Sequence, residues 1–327
     1  FIWRGGEISS MHNYLDFEKS ISDLDAKIHE LKKDSHENKI EDFSDKIHKL
    51  EETVESSLAD IYSKLTPWQK VQVARHPNRP HFVDYAATLL TEFIPLSGDR
   101  SFGEDAAMQV GLAKFRGQSV AVLGLEKGFD TKSRIKHNFG SSRPEGYRKA
   151  VRIMRMADHF GLPVLSFVDT AGAYPGVEAE ERGQGEAIAR SIEMCLNLRV
   201  PIIATVIGEG GSGGAMAIAA ADRVYMLEHS IYSVISPEGA ASILWRDSAR
   251  AEQAATAMKI TASDLKNFSV IDGIISEPIG GAHRNPSQAI ASVGEMISAA
   301  LDEMSNYSRE EIRNIRRKKY LEIGRNL

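Results

Sequence analysis

Residues 206–217 read Val206-Ile207-Gly208-Glu209-Gly210-Gly211-Ser212-Gly213-Gly214-Ala215-Met216-Ala217, joining an apolar, β-rich run that begins at Val200 to an Ala-rich helical one. The pattern predicts a strand, a glycine turn and a helix. Glycines in this number remove side chains where a side chain would obstruct, and they permit turns that aim successive N–H groups at one point. The N–H groups at a helix start carry the positive end of the helix dipole and have no intrahelical acceptors. Such a turn can stabilise an oxyanion without any ionisable side chain.

Other motifs overlap the same stretch. Gly208-x-Gly210-x-x-Gly213 fits a dinucleotide fingerprint, but the acidic residue expected about 20 residues further on is not clearly placed. A phosphate-binding P-loop is excluded because no Lys-Ser/Thr pair follows the glycines. Gly210-Gly211-Ser212-Gly213-Gly214 fits a G-x-S-x-G elbow, with Asp222, Asp272 and His283 following in the Ser, Asp, His order of an α/β-hydrolase. A serine hydrolase using Ser212 is therefore the alternative function. His283 itself is a lone histidine in a loop beside Gly280-Gly281.

A second glycine turn, Asp169-Thr170-Ala171-Gly172-Ala173-Tyr174-Pro175-Gly176, follows a strand expected to end at Val168 and leads into Glu180-Glu181-Arg182-Gly183-Gln184. Ligands of parallel α/β sheets bind at the carboxyl ends of the strands, so the two turns are expected to line one site. Around them, strands are predicted over 119–124, 163–168, 201–207, 222–227, 231–235 and 270–275, alternating with helices over 144–160 and 180–198. This order predicts an α/β layer with a mostly parallel sheet. Ser236-Pro237-Glu238-Gly239 reads as an ordinary helix N-cap. The segment 127–155 is rich in base (Lys127, Lys132, Arg134, Lys136, Arg143, Arg148, Lys149, Arg152, Arg155) and suits either coenzyme phosphates or a solvated helix face.

Toward the start, 11–80 reads as a helical arm. Apolar residues recur at helical spacing (Leu24, Ile28, Leu31, then Ile47, Leu50, Val54, Leu58, Ile61) on either side of a polar run over 32–38, which predicts a hairpin. Its narrow apolar stripe suits packing across another element or a solvated arm. Thr66-Pro67-Trp68 starts a further short helix, His76-Pro77-Asn78-Arg79-Pro80 ends it, and a domain boundary is placed there. The central domain spans 81–285 and C-terminal helices occupy 286–327, with the charged segment 309–319 read as a solvated or partner-facing helix. Residues 1–10 lack helical period and read as an expression-tag remnant.

The chain has 327 residues, 42% hydrophobic and 26% charged, with a net charge of −5, which argues against a nucleic-acid binder as a whole. No apolar run approaches the ~20 residues needed to span a bilayer, and the cytoplasm is the expected compartment. The single Cys195 excludes an internal disulfide and a cysteine-based zinc site, and its apolar helical setting suits a buried, inert thiol.

GEGGSGGA at 208–215, DTAGAYPG at 169–176, EERGQ at 180–184, HNFG at 137–140 with PEGYRKA at 144–150, YSVISPEGAASILW at 232–245, GGAHR at 280–284 and LDFE at 15–18 stand in one order along the chain. Together they resemble the carboxyltransferase α subunits of bacterial acetyl-CoA carboxylase, from about Met11 to the end. The resemblance implies a crotonase-like (ClpP/crotonase) fold of stacked ββα units. It also implies an α2β2 assembly with a zinc-ribbon β subunit, alongside a biotin carboxyl carrier protein and biotin carboxylase. The implied reaction moves the carboxyl group of carboxybiotin to acetyl-CoA, giving malonyl-CoA, with no metal in this chain. By motif, Gly213, Gly214 and Ala215 would form one donor group and Gly172 another around the biotin ureido oxygen. Gly210, Gly211, Tyr174 and Pro175 would shape the biotin-binding surface.

Overall fold

In the computed structural model, residues 13–37 and 43–325 are described. The segment 1–10, expected to be a tag remnant, lies outside the described residues. One sheet is built from β1 (Leu90–Pro95), β2 (Met108–Phe115), β3 (Gln118–Leu125), β4 (Val164–Thr170), β5 (Ile202–Gly211), β6 (Arg223–Leu227), β7 (Ile231–Ser233) and β8 (Gly273–Ile275). The strand order is β1-β2-β3-β4-β5-β6-β8, and β7 pairs with the end of β5. The pairs β1-β2 and β2-β3 are antiparallel, and every later pair is parallel.

Every residue of β4 and β5 is buried, as their continuous apolar runs require of parallel strands covered on both faces. Alternate residues of β5 feed two cores. Ile202, Ala204 and Val206 point into the layer made with the helices Pro144–Phe160, Gln184–Asn197 and Ser212–Ala219, whereas Ile203 and Ile207 point toward Phe82–Leu89 and Pro286–Met304.

The helix Pro144–Phe160 has the bounds that its sequence predicts. Three differences from expectation have local causes. β5 runs on past Gly208 to Gly211, because Glu209, Gly210 and Gly211 pair with Ile231, Tyr232 and Ser233 of β7 despite the weak strand propensity of glycine. The helix expected over 180–198 is two helices, Val177–Glu181 and Gln184–Asn197, separated where Gly183 takes φ 80°. The charged helix Arg309–Glu322 is not simply solvated. Arg316 is fully buried, donating to both carboxylate oxygens of Asp222 and to the carbonyls of Cys195, Leu198 and Val200.

The arm forms the helices Lys19–Glu37 and Ser44–Ser63, so the first continues into the polar run at which a break was expected. Its base is docked. Ile21, Leu58, Tyr62 and Val73 share one apolar cluster, and the Tyr62 hydroxyl donates to buried Glu18 at 2.9 Å. Among the described residues no helix is long and apolar enough to cross a membrane.

Candidate functional site

The two glycine turns meet at the carboxyl ends of β4 and β5, where Thr170 pairs with Gly210. The second turn is closed by its own threonine: Gly172 N–H donates to Thr170 Oγ1 at 3.0 Å, and that hydroxyl donates to the Gly172 carbonyl at 2.8 Å. The backbone of Ala171 to Ala173 then lies directly on the first turn. A Cβ added to Gly211 would sit 2.1 Å from the Ala171 carbonyl oxygen, and one on Gly214 would sit 2.6 Å from Ala173 N. Close approach of two backbones, rather than turn conformation, is what demands glycine at these two positions. Gly213 is different, since its Cβ would meet only the Ile188 side chain at 3.3 Å.

The helix Ser212–Ala219 starts at this contact. Its N-cap is Gly211, which has no side chain to accept the first-turn N–H groups, and Ser212 stands at φ 53°. Counting from this cap, Ser212, Gly213 and Gly214 precede the first residue with an i−4 acceptor. Ala215 is that residue, with the carbonyl of Gly211 at the i−4 position. Ser212 is exposed, Gly213 and Ala173 are half-buried, and Gly214 and Ala215 are buried, so the junction opens at the surface. Tyr174 and Pro175 extend from the second turn. Tyr174 is anchored by its N–H to Ser142 O (3.0 Å), by its carbonyl to Gln184 Nε2 (2.8 Å) and by the Arg143 guanidinium 4.5 Å over its ring, while Pro175 is exposed.

Beneath the turns lies an ion cluster that no sequence motif announces. Lys127 Nζ reaches Asp169 Oδ1 at 2.7 Å and Glu209 Oε2 at 3.0 Å, and Arg75 reaches Glu209 Oε1 and Glu238 Oε1 at 2.6 Å each. His81 Nδ1 is 3.4 Å from Asp169 Oδ2. Burial alone would raise the Asp169 carboxyl, but Lys127, His81 and the Glu209 N–H outweigh it and hold it well below the usual carboxylate range. The same contest ends the same way at Glu209, where Lys127 and Arg75 prevail over burial. Burial would lower the Lys127 ammonium, and its two carboxylates keep it raised.

The 127–155 segment is consequently not one basic face. Lys127 belongs to the cluster, Arg148 pairs with Asp99 (2.7 Å) and Glu145 (3.2 Å), and buried Lys149 pairs with Glu104 and the carbonyl of Asp105. Lys132, Lys136 and Arg155 remain exposed. Ser236 caps its helix as expected, accepting from Gly239 N at 3.1 Å. The buried Cys195 thiol is pushed up to about 12, burial being the main cause.

The hydrolase constellation does not assemble. Asp222 is bound by Arg316, Asp272 by Lys319 and Val224 N, and the His283 ring stacks on His76 at 3.8 Å. Each of Ser212's expected partners is engaged elsewhere.

Residues 14–324 match the protein family described as acetyl co-enzyme A carboxylase carboxyltransferase-like. Over 317 residues the chain is 71% identical to the acetyl-coenzyme A carboxylase carboxyl transferase subunit alpha of Rhizobium rhizogenes, covering 97% of this chain and 100% of that one. It is 67% identical, at the same coverage, to the subunit of that name from Agrobacterium fabrum. Among solved structures it is similar to transcarboxylase 12S with methylmalonyl-coenzyme A bound, with a TM-score of 0.57, 19% identity, and 70% of this chain and 42% of that one covered. It is also similar to a Pseudomonas malonate decarboxylase hetero-tetramer in complex with coenzyme A, with a TM-score of 0.53, 19% identity, and coverage of 66% and 86%. At such identities the structural likeness shows the fold, which is crotonase-like.

Proposed function

Because this chain belongs to the family of acetyl-CoA carboxylase carboxyltransferase α subunits, we propose that its two glycine turns form the half of the active site that receives the carboxyl donor. The enzyme transfers a carboxyl group and works with a β subunit. The finer reading is that carboxybiotin, presented by a biotin carboxyl carrier protein, docks at the junction of the Gly210-Gly211 and Gly172 turns, and that the β subunit holds the thioester of acetyl-CoA. The assembly would be α2β2, with biotin carboxylase supplying the charged carrier.

One observation carries this reading: a helix start whose cap has no side chain, pressed against a second turn and open to the surface. The lining suits a flat ring with one polar oxygen, since it offers first-turn backbone N–H groups with no capping side chain in front of them. Carboxybiotin, when bound, supplies the carboxyl group and a ureido nitrogen able to take up a proton. The N–H groups of Gly213 and Gly214, with Ala215 behind them, would stabilise negative charge on the ureido oxygen. Being fixed by the fold, they need no reorganisation as that charge develops. Gly172 would shape the cradle, its own N–H being committed to Thr170. Tyr174 and Pro175 would flank the ring, and Gly210 and Gly211 would set the approach of the strand.

Deleting one backbone donor tests the reading. Glycolic acid in place of Gly213 changes that amide to an ester and removes the N–H alone. Malonyl-CoA formation by the α/β complex is expected to fall by about 10²–10³-fold, the usual value of one such donor. A rate close to wild type removes Gly213 from the donor set.

A further inference from the structure

We propose that Lys127 is a positioning residue for carboxyl transfer, its single ammonium fixing the two glycine turns relative to each other. This rests on the reading of those turns as the carboxyl-donor half of the site. Lys127 belongs to neither turn and lies just after β3. Its two partners are the residues from which the turns depart: Asp169 is followed by Thr170 and the Gly172 turn, and Glu209 by Gly210-Gly211.

The geometry between those partners is irregular. Val168 pairs with Val206, but the next pair is Thr170 with Gly210, so β5 advances four residues while β4 advances two. The extra length is a bulge over 207–209 opposite Asp169, and a bulge redirects the chain beyond it. In β5 the redirected chain is the Gly210-Gly211 turn. Asp169 fills the bulge: its Oδ1 accepts from Glu209 N at 2.9 Å, and a Cβ on Gly208 would sit 2.5 Å from that oxygen. Arg79 Nε holds the carbonyl of Ile207 at 2.7 Å from the other side.

The arrangement brings two buried carboxylates, Asp169 and Glu209, to one point. Without a cation between them they repel across the bulge, and each unpaired buried charge is costly. Arg75 is divided between Glu209 and Glu238, and His81 lies at the far oxygen of Asp169, so Lys127 is the cation that bridges both strand ends. Relaxing the bulge would slide Gly211 and Gly214 against Ala171 to Ala173, where the two backbones lie too close to admit even a Cβ. The donor N–H groups would move with them. Misplacement of about 1 Å in a catalytic arrangement costs on the order of 10²-fold in rate.

The test uses the assembled α/β complex and reads kcat and KM separately. Lys127→Met keeps the unbranched side chain out to Cε and removes the ammonium with its charge. We expect kcat for malonyl-CoA formation to fall about 30- to 100-fold, with KM for acetyl-CoA unchanged, and Lys127→Arg to recover most of the loss by restoring a cation. A kcat per assembled complex equal to wild type, with only a lower melting temperature, would mean a structural ion pair and overturns the inference alone. A raised KM for acetyl-CoA with kcat unchanged overturns the assignment of these turns to the carboxyl donor, and the inference with it. If Lys127→Met does not assemble, Glu209→Gln decides. It breaks one arm of the bridge without leaving a bare charge, so about a tenfold loss of kcat at constant KM is expected, and wild-type kcat overturns the proposal.

Discussion

Gly214 has no room for a methyl group, and the obstacle is the backbone of the other turn. From the sequence, a branched side chain there is expected to crowd the ureido ring. In the structure its Cβ would instead strike Ala173 N at 2.6 Å and the Gly172 carbonyl carbon at 2.9 Å. Gly214→Ala is thus already expected to part the two turns, lowering both the melting temperature and malonyl-CoA turnover, the latter by about 10²-fold or more if a donor is displaced. Turnover measured per assembled complex beside thermal unfolding checks this, and normal turnover with reduced stability would make Gly214 a packing residue. Ser212 predicts the opposite. It is exposed, its expected triad partners are bound elsewhere, and alanine meets the same φ of 53°. Ser212→Ala should retain most of the carboxyl-transfer rate, whereas a loss near 10⁴-fold would point to a nucleophile.

Between elements, the joints are made by buried arginines. Arg79, in the segment expected to mark a domain boundary, grips Glu277 after β8 through contacts of 2.6 and 2.8 Å, both side chains being buried. Burial would raise the Glu277 carboxyl, but Arg79 and the N–H of His229 outweigh it and bring it to about 2 from 4.5. A depressed carboxyl contributes stability above its unfolded value and loses it as pH falls toward the folded one, here from 4.5 toward about 2. Glu277→Gln strands Arg79 and should cost about 3–5 kcal/mol near neutral pH. Denaturant titrations at successive pH values should show the gap from wild type narrowing below pH 4.5, and a constant gap down to pH 3 would contradict the assignment. Such joints explain what the sequence could not show. Parallel strands such as β4 and β5 are legible because burial on both faces leaves a continuous apolar run. β1 is not, since four of its six residues are exposed and its pairing shifts register near Glu92. The cluster of Arg75, His81, Lys127, Asp169, Glu209 and Glu238 draws on six separated places with no period to betray them. Arg316 lies inside a run of charge that reads as solvated because, of its charged members, Arg316 alone is fully buried.

At the scale of the whole molecule, the two glycine turns meet at one helix start, whereas the reaction proposed above has two sites of developing charge. On that reading negative charge develops on the ureido oxygen of the donor and on the thioester oxygen of the acceptor, and a single helix start cannot face both. The surface around the junction agrees with a shared site. Val177 beyond the second turn is 73% exposed, and Val234, Ile243 and Leu244 after β7 are 77%, 72% and 64% exposed. Since β7 pairs with the last residues of β5, this apolar segment starts beside the first glycine turn. Large exposed apolar side chains of this kind mark protein contacts. The purified chain alone is therefore expected to form no malonyl-CoA from acetyl-CoA and carboxybiotin, and addition of the β subunit should restore activity. On assembly, amide hydrogen exchange over 177–181 and 234–245 should slow, because those segments become covered. Full activity of the isolated chain would place both oxyanion sites within it and would remove the argument for a shared centre. Restored activity without protection of these segments would move the contact to another face while leaving the division of labour between the subunits intact.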